Sequence, residues 1–143
     1  MKLLLAFCLG LLPVVGFGQL PRWTDNVVYP GGNSLAIMLA SPANKGAEAA
    51  RLADLDIAAG HSFLFLQSGI APAVYLGDSA FCRKYKVAYW EEGCSGPGLV
   101  SMQAYNARVF AHLQQVHGNA WGKSVRKDVI GFKHWKKERR RPF

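Results

Sequence analysis

Cysteine, histidine and acidic residues are scarce in this chain, and their scarcity narrows its chemistry. The 143 residues include three cysteines, four histidines and nine Asp or Glu. The cysteines form no Cys-x-x-Cys pair and the histidines follow no metal-ligand spacing, so no zinc site is predicted. No glycine-rich loop connects a strand to a helix in the pattern that binds phosphates, and there is no internal repeat. We therefore expect neither a metal nor a cofactor.

Long apolar runs are also lacking, except at the N terminus. After Lys2, residues 3–15 are almost wholly apolar, and Gly16 and Gly18 lie three and one positions before Gln19. This layout predicts a signal peptide at residues 1–18, with an uncleaved anchor as the alternative. No later run approaches membrane-spanning length, so we expect no transmembrane segment after cleavage and a secreted or periplasmic protein.

Removal of the signal peptide would take Cys8 with it and leave Cys82 and Cys94 in an oxidising compartment. A disulfide between them would close a short loop and stabilise the fold by about 3 kcal/mol in the chain-entropy model. Two unpaired thiols, one of them reactive, are the alternative.

The positive charge lies at the C-terminal end. Residues 19–122 contain seven Lys or Arg and seven Asp or Glu, whereas residues 123–143 contain nine Lys or Arg and two acids. Charge segregated in this way belongs to the tail and not to the whole protein. We expect one globular domain over residues 19–132, followed by a basic tail over residues 133–143.

Hydrophobic patterning indicates a small α+β domain. Apolar residues recur at helical spacing over 99–117, which predicts a long helix with Tyr105, Phe110 and Leu113 in the core. Shorter helices are expected over 44–59, 79–85 and 121–129. Strands are expected over 63–67, 73–76 and 86–91, and residues 34–40 are expected to form a short strand or turn. The long helix should pack across the sheet.

Cys94 is the strongest candidate for a nucleophile, because it lies in a glycine-rich loop just before the long helix. Backbone N–H groups at such a position lower the pKa of a thiol. His61, His112 or His117 could serve as its base, although histidines at positions such as 112 and 117 are more often structural than catalytic. A small envelope thiol-dependent or hydrolytic enzyme that uses Cys94 with a nearby histidine is therefore the alternative function.

The basic tail is the candidate binding segment. Clustered cations occur there with Trp135 and Phe143, a composition that suits an anionic glycan or lipid surface, whereas a merely solvated end is the alternative. Nucleic acid is a poorer fit for an exported protein, and the sequence identifies no protein partner. The candidate binding residues are Lys133, Trp135, Lys136, Lys137, Arg139, Arg140 and Arg141.

Several segments resemble a group of small exported bacterial proteins of unknown function. The resemblance covers roughly residues 56–135 and rests on the following segments: GIAP at 69–72, FCRKY at 81–85, YWEEGC at 89–94, YN at 105–106, VFAHL at 109–113, GNAW at 118–121 and VRKDVIG at 125–131. The resemblance implies no activity and no catalytic residue. In that group the residue at position 82 is often not cysteine, which implies that the disulfide is a local feature of this chain. We expect an uncharacterised exported protein that is a non-enzymatic envelope or extracellular binding protein.

Overall fold

The computed structural model describes residues 34–40, 45–67, 73–91 and 96–140. The predicted signal peptide and Cys94 lie outside these residues. The order of elements is helix, helix, strand, helix, strand and three helices: α1 Ser34–Ala40, α2 Gly46–Ala59, β1 Phe63–Phe65, α3 Asp78–Tyr85, β2 Ala88–Trp90, α4 Leu99–His117, α5 Trp121–Ser124 and α6 Phe132–Glu138. The predicted α+β class is confirmed.

The sheet consists of β1 and β2, which run parallel. Leu64 pairs with Tyr89 at the centre of the register, and α3 forms the crossover between the strands. Every residue of β1 is buried, as expected for a strand covered on both faces. The chain continues past β1 into an antiparallel bridge between Leu66 and Val129. This bridge joins the C-terminal part of the chain to the sheet.

Helix α4 forms the centre of the domain. It spans Leu99–His117, so both the predicted long helix and its predicted bounds are confirmed. Tyr105, Val109, Phe110 and Leu113 are buried along one face, and α2 packs against α4 over most of its length. The ring of Tyr105 stacks on Phe63 of β1 with centroids 4.4 Å apart. The predicted packing of the long helix on the strands is therefore confirmed.

Two predicted elements are wrong in type. Residues 34–40 form helix α1, because Leu, Ala and Met favour a helix and because Met38 packs into the core while the Ser34 hydroxyl donates to Asp56. Residues 73–76 form no strand. Their backbone is held by side chains instead, since the Tyr75 N–H donates to the Asp78 carboxylate at 2.9 Å.

The helix predicted over 121–129 is too long. Helix α5 ends at Ser124 because Val125 adopts an extended conformation (φ −67°, ψ 146°). Val125 and Val129 are both buried, but the chain between them turns through Arg126 and Asp128, and Val129 reaches the sheet as a bridge. The two valines therefore do not lie on one helix, as the helix predicted over 121–129 requires.

The predicted boundary at residue 132 does not separate a body from a tail. Gly131 has φ +79°, a left-handed conformation that favours glycine, and it redirects the chain into α6. Phe132 is buried and Trp135 is partly buried against the core. The first part of the basic segment is therefore an amphipathic helix of the folded domain.

Candidate anion-binding groove

Helix α6 is held on the domain by a cluster of four aromatic rings. Phe110 of α4 stacks on Trp121 of α5 at 5.6 Å, and Phe132 and Trp135 of α6 each lie about 5.5 Å from Phe110. Phe132 and Trp135 are three residues apart and therefore face the same side of the helix. Lys136 follows Phe132 by four residues, and its Nζ lies 5.9 Å from the centroid of the Phe132 ring, so packing of this ring positions the cation.

A groove of ≈ 410 Å³ lies between α6, α5 and the C-terminal end of α4. Aromatic rings form its apolar wall, and amide and cationic side chains form the rest. The side chains that line it are Gln114, Asn119, Trp121, Lys123, Phe132, Trp135, Lys136, Arg139 and Arg140. Four of these nine are cations, and none is a carboxylate.

Arg139 is held in the groove by contacts on two sides. Its Nη1 donates to Gln114 Oε1, and its guanidinium carbon lies 4.8 Å from the centroid of the Trp135 ring. The Gln114 amide in turn donates to Asn119 Oδ1 at 3.2 Å. A cation held by an amide and an aromatic face keeps its charge and loses less freedom when an anion binds.

The groove cations keep their charge available. Within the described residues, no carboxylate forms an ion pair with Lys123, Lys136, Arg139 or Arg140. The acid nearest in sequence, Glu138, lies 3.5 Å from the imidazole of His134 and lines a different cavity. The positive potential in the groove is therefore not cancelled locally.

The structure separates the predicted binding residues into two sets. Trp135, Lys136, Arg139 and Arg140 line the groove, whereas Lys133 lines another cavity and Lys137 is exposed outside it. Arg141 lies outside the described residues. The remaining lining side chains were not predicted from the sequence: Gln114, Asn119, Trp121, Lys123 and Phe132. Of these, only Lys123 could have been identified as a binding residue, because it begins the basic C-terminal region.

A second charged cluster surrounds Arg126. The side chain of Arg126 is only 7% exposed, and its guanidinium contacts the carboxylates of Asp78, Glu91 and Asp128. The rings of Tyr75 and Tyr89 flank it at 4.7 and 5.5 Å from its central carbon.

These contacts shift the pKa values of the cluster in opposite directions. Hydrogen bonds with Arg126 lower the pKa of Asp128, and the bond with Asp128 is the main cause of the raised pKa of Arg126. Burial is the main cause of the raised pKa of the Tyr89 hydroxyl, which accepts a bond from the Arg126 N–H. The contact therefore favours a charged Arg126 beside a charged Asp128 carboxylate.

Of the predicted thiol site, the described residues include Cys82, His112 and His117. Within the described residues Cys82 forms no disulfide; it is half-buried, and burial raises the pKa of its thiol, which is the opposite of activation. Cys94 lies outside the described residues, so both its pairing with Cys82 and its catalytic role stay predictions. His117 packs edge-on against Tyr85 at 5.0 Å, and His112 is half-buried on α4.

The described residues contain neither a metal-binding cluster nor a membrane-spanning helix. No cluster of three or more His, Cys, Asp or Glu side chains in this part of the chain could hold a metal ion. Among the described helices, none has the length and apolar character to cross a bilayer.

Comparison with known proteins adds no relative. No protein-family model, no curated protein and no solved structure matches this chain. The resemblance to small exported bacterial proteins therefore stays a prediction, and the argument for function rests on the groove.

Proposed function

We propose that this protein is an exported, non-enzymatic binding protein whose C-terminal groove holds an acidic polysaccharide. The observation that carries the proposal is the set of four cations, Lys123, Lys136, Arg139 and Arg140, around a concave surface with no carboxylate in its lining. Such a surface attracts anions and concentrates them at one place.

The aromatic wall favours a sugar over a simple anion. Trp135, which is only partly buried, presents apolar ring surface beside the cations, and the amides of Gln114 and Asn119 can exchange hydrogen bonds with hydroxyl groups. Carboxylates of a uronic acid chain would meet Arg139 and Arg140, whose guanidinium groups can bind carboxylates through two parallel bonds. A concave groove also suits a chain better than it suits a flat bilayer.

The test is a binding titration with an oligogalacturonate as the acidic probe and a malto-oligosaccharide of equal length as the neutral one. We expect saturable binding of the acidic probe only, and an affinity that falls as salt is raised, because salt screens exposed charges. Tryptophan fluorescence can follow binding, because two of the four tryptophans line the groove.

A matched pair of double variants distinguishes binding in the groove from nonspecific attraction to positive charge elsewhere on the protein. Lys136→Glu with Arg140→Glu should weaken binding by about tenfold or more, since a tenfold change corresponds to only about 1.4 kcal/mol. Arg83→Glu with Lys84→Glu makes the same charge change on α3 and should leave binding within about twofold. Equal losses in the two variants would refute the groove as the site.

Export and the predicted disulfide belong to the same proposal and can be checked by intact mass. A mature chain that begins at Gln19 is expected. Alkylation of the unreduced protein should leave Cys82 and Cys94 unmodified if they are bonded. A mass that still includes Met1 would refute the predicted cleavage.

A further inference from the structure

The acids of the segment that contains α3 turn inward to Arg126, while its cations face solvent. Residues 73–91 contain two acids, Asp78 and Glu91, and both pair with Arg126. Their side chains are only 9% and 17% exposed. The charged side chains that this segment presents to solvent are therefore all positive: Arg83, Lys84 and Lys86.

The same segment begins with an exposed apolar loop. Val74 is 68% exposed, Tyr75 is 59% exposed and Leu76 is fully exposed. Three consecutive large apolar residues in water are unusual on a surface and indicate an interaction site.

This loop is nevertheless tied to the domain. The Arg126 Nη1 donates to the Ala73 carbonyl at 2.6 Å, and the Asp78 N–H donates to the Tyr75 carbonyl at 3.0 Å. The Tyr75 ring lies over the Arg126 guanidinium. The loop therefore holds its apolar side chains outward in a fixed arrangement.

The apolar loop and the cations lie along one face. Leu76, Ala80 and the pair Arg83 and Lys84 follow the spacing of neighbours on a helix, and all are exposed. Phe81 and Tyr85 occupy the opposite, buried face of α3. Arg83 and Lys84 lie in the last turn of α3, which begins two residues after Leu76.

We propose that the Val74–Leu76 loop and the cations of α3 dock this protein on an anionic lipid bilayer. The loop would insert into the interface between headgroups and acyl chains, while Arg83, Lys84 and Lys86 contact the phosphates. An exposed apolar loop, followed in α3 by exposed cations, fits a lipid surface better than a protein partner, which would need a matching concave pocket. This site goes beyond the polysaccharide groove and shares none of its lining residues.

The proposal is tested by co-sedimentation with vesicles of phosphatidylcholine alone and with 30% phosphatidylglycerol. All variants carry the same N terminus, so any effect of that segment cancels. The wild type should bind the anionic vesicles at least tenfold more strongly than the neutral ones. Val74→Ser with Leu76→Ser should reduce binding about tenfold without changing the melting temperature, because both side chains are exposed.

Two controls keep the result specific. Leu99→Ser with Val116→Ser removes two exposed apolar side chains on α4, 56% and 57% exposed, and should bind like the wild type. Arg83→Gln with Lys84→Gln should weaken binding, whereas Lys136→Gln with Arg140→Gln should not. The proposal is overturned if the loop variant binds like the wild type, or if only the groove variant loses binding. It is also overturned if the loop variant turns a dimer into a monomer, because the loop would then pair two copies.

Discussion

The side chain of Asn106 bonds to both backbone polar groups of Phe65. Asn106 Oδ1 accepts from the Phe65 N–H, and its Nδ2 donates to the Phe65 carbonyl, each at 2.9 Å. The same Nδ2 also donates to the Ile130 carbonyl at 2.9 Å. The Asn106 side chain, fully buried on α4, therefore makes the hydrogen bonds to Phe65 that a neighbouring strand would otherwise make. It also joins the sheet to the turn that leads into α6.

Replacing Asn106 by Leu should destabilise the protein by about 3 kcal/mol. The substitution leaves the Phe65 N–H and the Ile130 carbonyl without the bonds that Asn106 provides, and each buried unpaired group costs about 1–3 kcal/mol. Urea unfolding followed by circular dichroism measures the change. Gln115→Leu, an exposed position on the same helix, should change stability little. A loss below about 1 kcal/mol for Asn106→Leu would contradict this role.

Replacing Arg126 by Met should lower the free energy of unfolding more than replacing Arg108 by Met. Loss of the guanidinium leaves Asp78 and Glu91 as poorly solvated charges without their partner, at a cost of about 3–5 kcal/mol. Arg108 pairs with Asp54 on the surface, where both side chains are about half exposed, so Arg108→Met should cost about 0–1 kcal/mol. Equal losses in chemical denaturation would show that Arg126 does not hold the cluster together.

Stability should fall with pH in the acid range partly through Asp128. Because Arg126 lowers the pKa of this carboxyl in the folded state, the unfolded chain binds the proton first. The stabilisation is therefore fully present above the ordinary Asp pKa of about 3.9 and is lost as pH falls through the lowered value. Asp128→Asn should flatten the decline in unfolding free energy below about pH 4. An unchanged slope of unfolding free energy against pH in the variant would contradict a stabilising pair between Asp128 and Arg126.

The aromatic cluster beneath the groove can be tested at Phe110. This ring is 1% exposed and contacts Trp121, Phe132 and Trp135, so Phe110→Ala should cost about 3–5 kcal/mol. Val116→Ala, which truncates a 57% exposed side chain on the same helix, should cost less than about 1 kcal/mol. Thermal unfolding of both variants gives the comparison, and a small loss at Phe110 would contradict its place in the core.

Sequence periodicity predicted α4 well because its apolar residues follow helical spacing and Gly118 ends it. It failed for α1, whose seven residues are too short and too uniformly apolar to show a period. It also failed for α5, since the extended Val125 and the Arg126 contacts depend on residues distant in sequence. The tail composition indicated a cationic site, but its concave shape arises from Gln114, Trp121 and Lys123, which only the folding of α6 onto α4 brings together.

The most direct test of the groove is the nuclear magnetic resonance spectrum of the tryptophan indole N–H groups during titration with the oligogalacturonate. The account predicts that the signals of Trp121 and Trp135 shift as the probe binds, since both rings line the groove. The signal of Trp90, which lies on β2 against Phe63, should stay in place. A shift of Trp90 with Trp121 and Trp135 unchanged, or no shift at any of the three, would contradict the account.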